Sequence, residues 1–232
     1  MGKTIGIIGG MGPEAACDLM NKIIASTDAH TDQEHIHICL DSDPSIPDRT
    51  AAIVQNGESP VEAVVQSGLR LEKMGAQVLV MACNTIHYYY DELAARFSVP
   101  LIHIPDETAK ELSRMGVKKA GILATDGTVH GGVYDRALEK YGIEPVYPDT
   151  DGQKAVMKLC YECVKARQSE GAAECVDALI SQMKAKGAQV LVPACTELPL
   201  IFEKLDRMDG CVDPTRIAAR AAVRLSGAKL KY

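Results

Sequence analysis

The hydrophobic positions of the chain fall into short, mostly unbroken runs, separated by longer stretches in which they recur every three or four residues. The runs are TIGIIG (4–9), HIHICLD (35–41), AQVLVMA (76–82), PLIHI (100–104), KAGILA (119–124), EPVYP (144–148) and AQVLVPA (188–194). Continuously apolar runs of this length suit strands buried on both faces, as in a parallel sheet. The intervening patterns predict helices over 13–27, 59–74, 88–97, 106–115, 131–141, 150–167, 170–186 and 213–226. Regular alternation of the two predicts an α/β fold of mostly parallel sheets flanked by helices.

The pattern repeats within the chain. GAQVLVMAC (75–83) and GAQVLVPAC (187–195) differ only at Met81 and Pro193. KTIGIIGGMG (3–12) is similar to KKAGILATDG (118–127), and HIPDETAKEL (103–112) to CVDPTRIAARAA (211–222). Two pseudo-symmetric α/β domains are expected. One spans 1–102 with a returning C-terminal helix in 212–232, the other 103–211, and the shared cleft is the expected active site. Each repeat places a thiol, Cys83 or Cys195, just after a strand.

Composition narrows the function. The chain has 232 residues, no Trp, two Phe and a net charge of -6, so its core is aliphatic and no basic footprint for nucleic acid is present. No apolar stretch approaches the ~18–20 residues of a membrane span. The start, MGKTIGIIGG, reads as a first strand rather than a signal peptide, and it lacks the Ser or Thr of a myristoylation signal. Eight scattered cysteines suggest reduced thiols and a cytoplasmic location.

In open α/β sheets, ligands bind beyond the carboxyl ends of the strands. Cys83 and Cys195 both fall there, each followed by small polar residues. A lone cysteine in such a place is commonly a small buried apolar residue; two at equivalent places in a repeat point to chemistry. Backbone amides opening a following helix are expected to lower such a thiol's pKa from about 8.5. Two thiols facing across a pseudo-two-fold cleft suit removal of a proton from one face of a carbon and its return to the other. Each sulfur needs ~3–3.5 Å to that carbon, so the pair is expected roughly 6–7 Å apart and reduced.

Other motifs carry less. GGMGPEA nearly matches a dinucleotide fingerprint as Gly10-x-Gly12-x-x-Ala15, but the next acidic residue after a strand, Asp41, falls about 30 residues on instead of about 20. His35 and His37 share one strand face with no companion ligand set, so no metal is expected. The CYEC spacing (160–163) lies within a helix pattern and reads as structural. His87 either tunes Cys83 or is a structural histidine.

The segments IGIIGGMGPEA (5–15), DQEHIH (32–37), IPDRT (46–50), MACNTIH (81–87), KKAGILATDGT (118–128), YECVKA (161–166) and ACTELPL (194–200) resemble the aspartate/glutamate racemase family, closest to its cofactor-independent aspartate racemases. They span nearly the whole chain, and the paired CNT and CTE are specific. The resemblance implies racemisation without pyridoxal phosphate or another cofactor, with Cys83 and Cys195 as the acid–base pair and a homodimeric assembly. It implies that Arg49 binds the substrate side-chain carboxylate, that Lys165 makes a second carboxylate contact, and that Met11 lies at the substrate. Lys165 at a helix end also suits a solvated or capping role, a loop arginine such as Arg49 is commonly a solvated surface charge, and Met11 also suits ordinary packing. Asn84, Thr85, Thr128 and Thr196 are the candidate hydrogen-bonding groups for the α-carboxylate and ammonium, although short polar residues after strands also cap helices. Glu197 is a candidate acceptor for the ammonium or for the network around Cys195. The expected substrate is a small acidic amino acid, aspartate before glutamate. Hydantoin racemisation, maleate isomerisation, malonate decarboxylation and non-catalytic ligand sensing remain as alternatives.

Overall fold

The computed structural model describes residues 2–165, 168 and 170–231. Two all-parallel sheets form its frame. The first has strand order β2-β1-β3-β4, from β1 (Ile5–Gly9), β2 (Ile38–Ser42), β3 (Val78–Met81) and β4 (Leu101–Ile102). The second has order β6-β5-β7, from β5 (Lys119–Leu123), β6 (Glu144–Val146) and β7 (Val190–Pro193). The α/β architecture expected from the alternation is therefore present. Beside β7, a parallel bridge between Leu191 and Cys211 takes the place that β4 takes beside β3, where Leu79 pairs with Leu101.

Helices cover both sheets. In chain order they are α1 (Pro13–Ser26), α2 (Arg49–Val54), α3 (Val61–Lys73), α4 (Tyr90–Ala94), α5 (Ile104–Arg114), α6 (Asp126–His130), α7 (Val133–Glu139), α8 (Thr150–Lys158), α9 (Ala172–Ala185), α10 (Leu198–Lys204) and α11 (Pro214–Ser226). The last helix returns to pack along α1 and α5. Lys22 of α1, although buried, is held there by Asp18 at 2.8 Å, by Asp213 at the cap of α11 at 2.8 Å, and by Glu203 of α10 at 3.3 Å. Burial opposes the charge of Lys22, but Asp213 and Asp18 outweigh it and raise its pKa.

The repeated GAQ has a physical reason at each position. Gly75 and Gly187 end α3 and α9 with φ of +94° and +84°, a left-handed conformation that favours glycine. Ala76 and Ala188 then lie under Gly6 and Gly121. A Cβ on either glycine would come within 2.8 Å and 3.1 Å of those alanines, and within 2.7 Å and 2.9 Å of Leu79 and Leu191. Gln77 accepts a hydrogen bond from the Thr4 amide at 3.3 Å, and Gln189 accepts from the Lys118 and Lys119 amides at 2.6 and 2.9 Å. Each glutamine thus secures the start of the neighbouring strand.

Several elements differ from the sequence expectation. The second strand starts at Ile38 rather than His35, and a 3-10 turn, Asp32–Glu34, precedes it. The fifth helix starts at Ile104, because the His103 side chain caps it by accepting from the Asp106 amide at 3.0 Å. The 131–141 pattern begins inside a break between α6 and α7, with Gly132 at φ +59°. The 150–167 pattern is α8 followed by a π-helical turn, Leu159–Lys165; its end, Ala166 and Arg167, lies outside the described residues. Short helices α2, α6 and α10 were not expected.

Candidate active site

The site lies beyond the carboxyl ends of β1, β3, β5 and β7, where the two sheets face each other. Met11 follows β1, Cys83 follows β3, Thr125 follows β5, and Cys195 and Glu197 follow β7. All of them line one cavity, together with Asp48, Arg49 and Thr50 from the start of α2, Thr85, and Tyr161 and Lys165 from the π-helical turn. This cavity measures about 10 Å³, room for about one water and far less than any amino acid. Met11, Asp48, Arg49, Lys165 and Glu197 also line an adjoining cavity of about 530 Å³. A larger surface cavity of about 690 Å³ reaches Tyr161 but holds neither thiol, so size does not decide the site.

Arg49 is buried and pre-set. Its Nη1 donates to the carbonyls of Ile46 and Pro47 at 3.3 and 3.0 Å, and its Nη2 to that of Met11 at 2.9 Å. The Nε of the same guanidinium is buried with no partner. Burial acts against the charge of Arg49, but the neighbouring Cys83 and Asp48 raise its pKa. Asp48 caps α2 by accepting from the Ala51 amide at 2.8 Å, and the Tyr161 hydroxyl donates to it at 3.1 Å across the cleft. Burial pushes the Asp48 pKa up; the Ala51 amide, Arg49 and Lys165 reverse this and hold it below its ordinary value. Lys165 is exposed, with its Nζ 4.1 Å above the Tyr161 ring.

Cys83 and Cys195 are buried free thiols. Cys195 donates to Glu197 Oε2 at 3.0 Å. The neighbouring Cys160 thiol, burial and the Glu197 carboxylate together push the Cys195 pKa well above its ordinary value. The expected lowering by helix amides therefore does not hold at Cys195, because burial, Cys160 and the carboxylate prevail. Cys160, read from the sequence as structural, is buried beside the site and shares a core cluster with Cys195.

Of the other expected residues, Thr85 lines the cavity, and Asn84, Thr128 and Thr196 stand behind it. The Thr85, Thr125 and Thr128 hydroxyls form a triangle with sides of 2.8, 3.0 and 3.1 Å that joins the two halves of the cleft. Thr125 lines the cavity, while Thr128 supports it from behind. Asn84 accepts a hydrogen bond from the Tyr134 hydroxyl at 2.7 Å, and its Nδ2 is buried without a partner. The Thr196 hydroxyl reaches Glu197 Oε2 at 3.1 Å and the Ala82 carbonyl at 3.4 Å. His87 contacts the main chain rather than the Cys83 thiol. Its Nδ1 donates to the Cys83 carbonyl at 2.9 Å, and its Nε2 accepts from the Ile104 amide at 3.1 Å. Burial, with His103 beside it, pushes its pKa down to about 3, so it is a neutral structural tie. Among the described residues, no cluster of His, Cys, Asp and Glu suits a metal, and no helix is long and apolar enough to cross a membrane.

A family profile described as Asp/Glu/Hydantoin racemase matches residues 8–222. The chain belongs to this family. It is 27% identical to the broad specificity amino-acid racemase RacX of Bacillus subtilis over 94% of this chain and 96% of that protein. Among solved structures it is similar to Picrophilus torridus aspartate racemase, with 36% identity, a TM-score of 0.88 and coverage of 99% and 96% of the two chains. The fold is shared with Francisella tularensis glutamate racemase in complex with D-glutamate, at 19% identity, a TM-score of 0.70 and coverage of 97% and 81%. These relatives are isomerases. Asp48, Thr50, Thr125 and Tyr161 were not singled out from the sequence, although all four sit in segments that carry the family resemblance.

Proposed function

We propose that the protein racemises an acidic amino acid, aspartate in preference to glutamate, by a cofactor-independent two-base proton transfer. The observation that carries this reading is the single cavity lined by two thiols, two cations and two carboxylates. One cysteine, as thiolate, removes the α-proton. The electron pair of the broken C–H bond moves into the α-carboxylate as an enediolate. The other cysteine, as thiol, donates a proton to the opposite face. Charge on the enediolate needs fixed donors in a site shielded from water. The Thr85 and Thr125 hydroxyls, which line the cavity, are the groups of this chain suited to that task, with the unpartnered Asn84 amide behind them.

Arg49 and Lys165 support an anionic diacid over a neutral hydantoin, and the guanidinium fork suits the side-chain carboxylate. The similarity to an aspartate racemase supports aspartate. A homodimer follows from the family reading, and light scattering should then give a mass about twice that of the 24.9 kDa chain. The activity test is incubation of both enantiomers of aspartate and of glutamate in deuterated buffer. Expected are decay of optical rotation and α-deuterium uptake, fastest for aspartate. Absence of both with all four substrates would sink the racemase assignment.

A further inference from the structure

Glu197 has more in its surroundings than a place in the cavity wall explains. Its two carboxylate oxygens differ. Oε2 accepts from the Cys195 thiol at 3.0 Å and from the Thr196 hydroxyl at 3.1 Å. Oε1 is buried and has no partner, in a residue only 3% exposed. Leaving a buried carboxylate oxygen unpartnered costs folding free energy, so a native site that does so calls for a reason. That oxygen faces a gap kept open by glycine. A Cβ on Gly12 would come within 3.1 Å of it, so the lack of a side chain there preserves the approach. Gly12 and Glu197 both line the adjoining cavity of about 530 Å³, and Glu197 also lines the thiol cavity. The missing partner is a hydrogen-bond donor, and a cation is favoured because the acceptor is a carboxylate.

We infer that Glu197 receives the substrate's α-ammonium on Oε1 and, through Oε2, couples its arrival to the readiness of Cys195 to give up a proton. The inference rests on the two-thiol reading. A carboxylate beside a thiol favours the proton on sulfur. An ammonium seated on Oε1 offsets that charge, so the hold of Cys195 on its proton weakens as substrate binds. The other titratable groups around Cys195 are Cys160 and Tyr161 of the π-helical turn, Tyr134 of α7, and Cys83, Asp48, Arg49 and Lys165 around the same cavity. None of them has an unpartnered carboxylate oxygen. Selection for an amino group then lies in Glu197: a diacid without one leaves Oε1 unpartnered and Cys195 unreleased.

Calorimetric titration with L-aspartate and with succinate, which lacks only the amino group, tests this. The wild-type protein is expected to bind aspartate about tenfold more tightly, as befits one charged hydrogen bond. Glu197→Gln is expected to abolish that preference while succinate binding stays within about twofold, which also shows that the variant is folded. The alkaline limb of its kcat profile should move to lower pH, a change that a merely structural role would not cause. Equal binding of the two ligands by the wild-type protein, or a preference kept by the variant, overturns the inference; the wild-type comparison decides alone if the variant does not fold. Lack of α-proton exchange in an aspartate-binding protein would instead count against the racemase reading and leave the ammonium preference readable.

Discussion

At the scale of single residues, the site is an asymmetric pair built on a symmetric frame. Arg49 stands by Cys83, and Glu197 by Cys195. Replacing either cysteine with serine should lower kcat by about 10²–10⁴, the usual weight of a general acid or base; full activity in either variant excludes the two-base scheme. Arg49→Lys should raise KM for aspartate by about 10–100-fold, because a point charge cannot reproduce the fork or its bonds to the Met11, Ile46 and Pro47 carbonyls. Steady-state kinetics at fixed pH would show it, and an unchanged KM would remove Arg49 from the substrate.

His87 gives the stability of the protein a pH dependence. Its folded pKa of about 3 lies below the ordinary 6.5, so between these values the unfolded chain binds a proton that the folded one does not. Stability is therefore full above pH 6.5 and falls by about 1.4 kcal/mol per unit as pH drops toward 3. His103, also lowered by burial, acts in the same direction. Urea unfolding at pH 7, 6 and 5 measures the slope. His87→Gln should flatten it, and an unaltered slope would contradict the assignment. Of the residues around the cavity, the two cysteines were legible from the repeat, and Arg49 and Lys165 only through family resemblance. Tyr161 reaches Asp48 across 113 positions of sequence, a distance over which no local pattern carries information.

At the scale of elements, the duplicated strand was legible because a buried parallel strand has few solutions. The left-handed glycine, the alanine beneath a glycine and the clamping glutamine recur because both sheets meet the same steric problem. Helices α2 and α10 escaped detection because six or seven residues are too few to show a helical period. The α2 cap, Asp48, was the available signal. Gln189→Ala leaves the Lys118 and Lys119 amides without their side-chain acceptor, at a cost of about 1 kcal/mol. Thermal unfolding should show a Tm about 2–4 °C lower. An unchanged Tm would mean that water replaces the glutamine at no cost.

At the scale of the whole molecule, the thiol cavity is closed around a volume too small for its substrate, and the Tyr161–Asp48 bond spans the closure. Substrate entry then requires the facing walls to separate, and Tyr161→Phe should speed dissociation of bound aspartate about tenfold. Stopped-flow release rates would reveal this, and an unchanged rate would show that the bond does not hold the cleft shut. The paired sheets bring the two thiols to one cavity from strands over a hundred residues apart. The central claim is that they serve one carbon from opposite sides. Its most direct test is the initial conversion of L-aspartate in deuterated buffer, with α-deuterium measured separately in the D-aspartate formed and the L-aspartate recovered. Two bases predict deuterium in the product and almost none in the recovered substrate. Product that keeps the original α-hydrogen, or deuterium appearing equally in both enantiomers, would contradict the account.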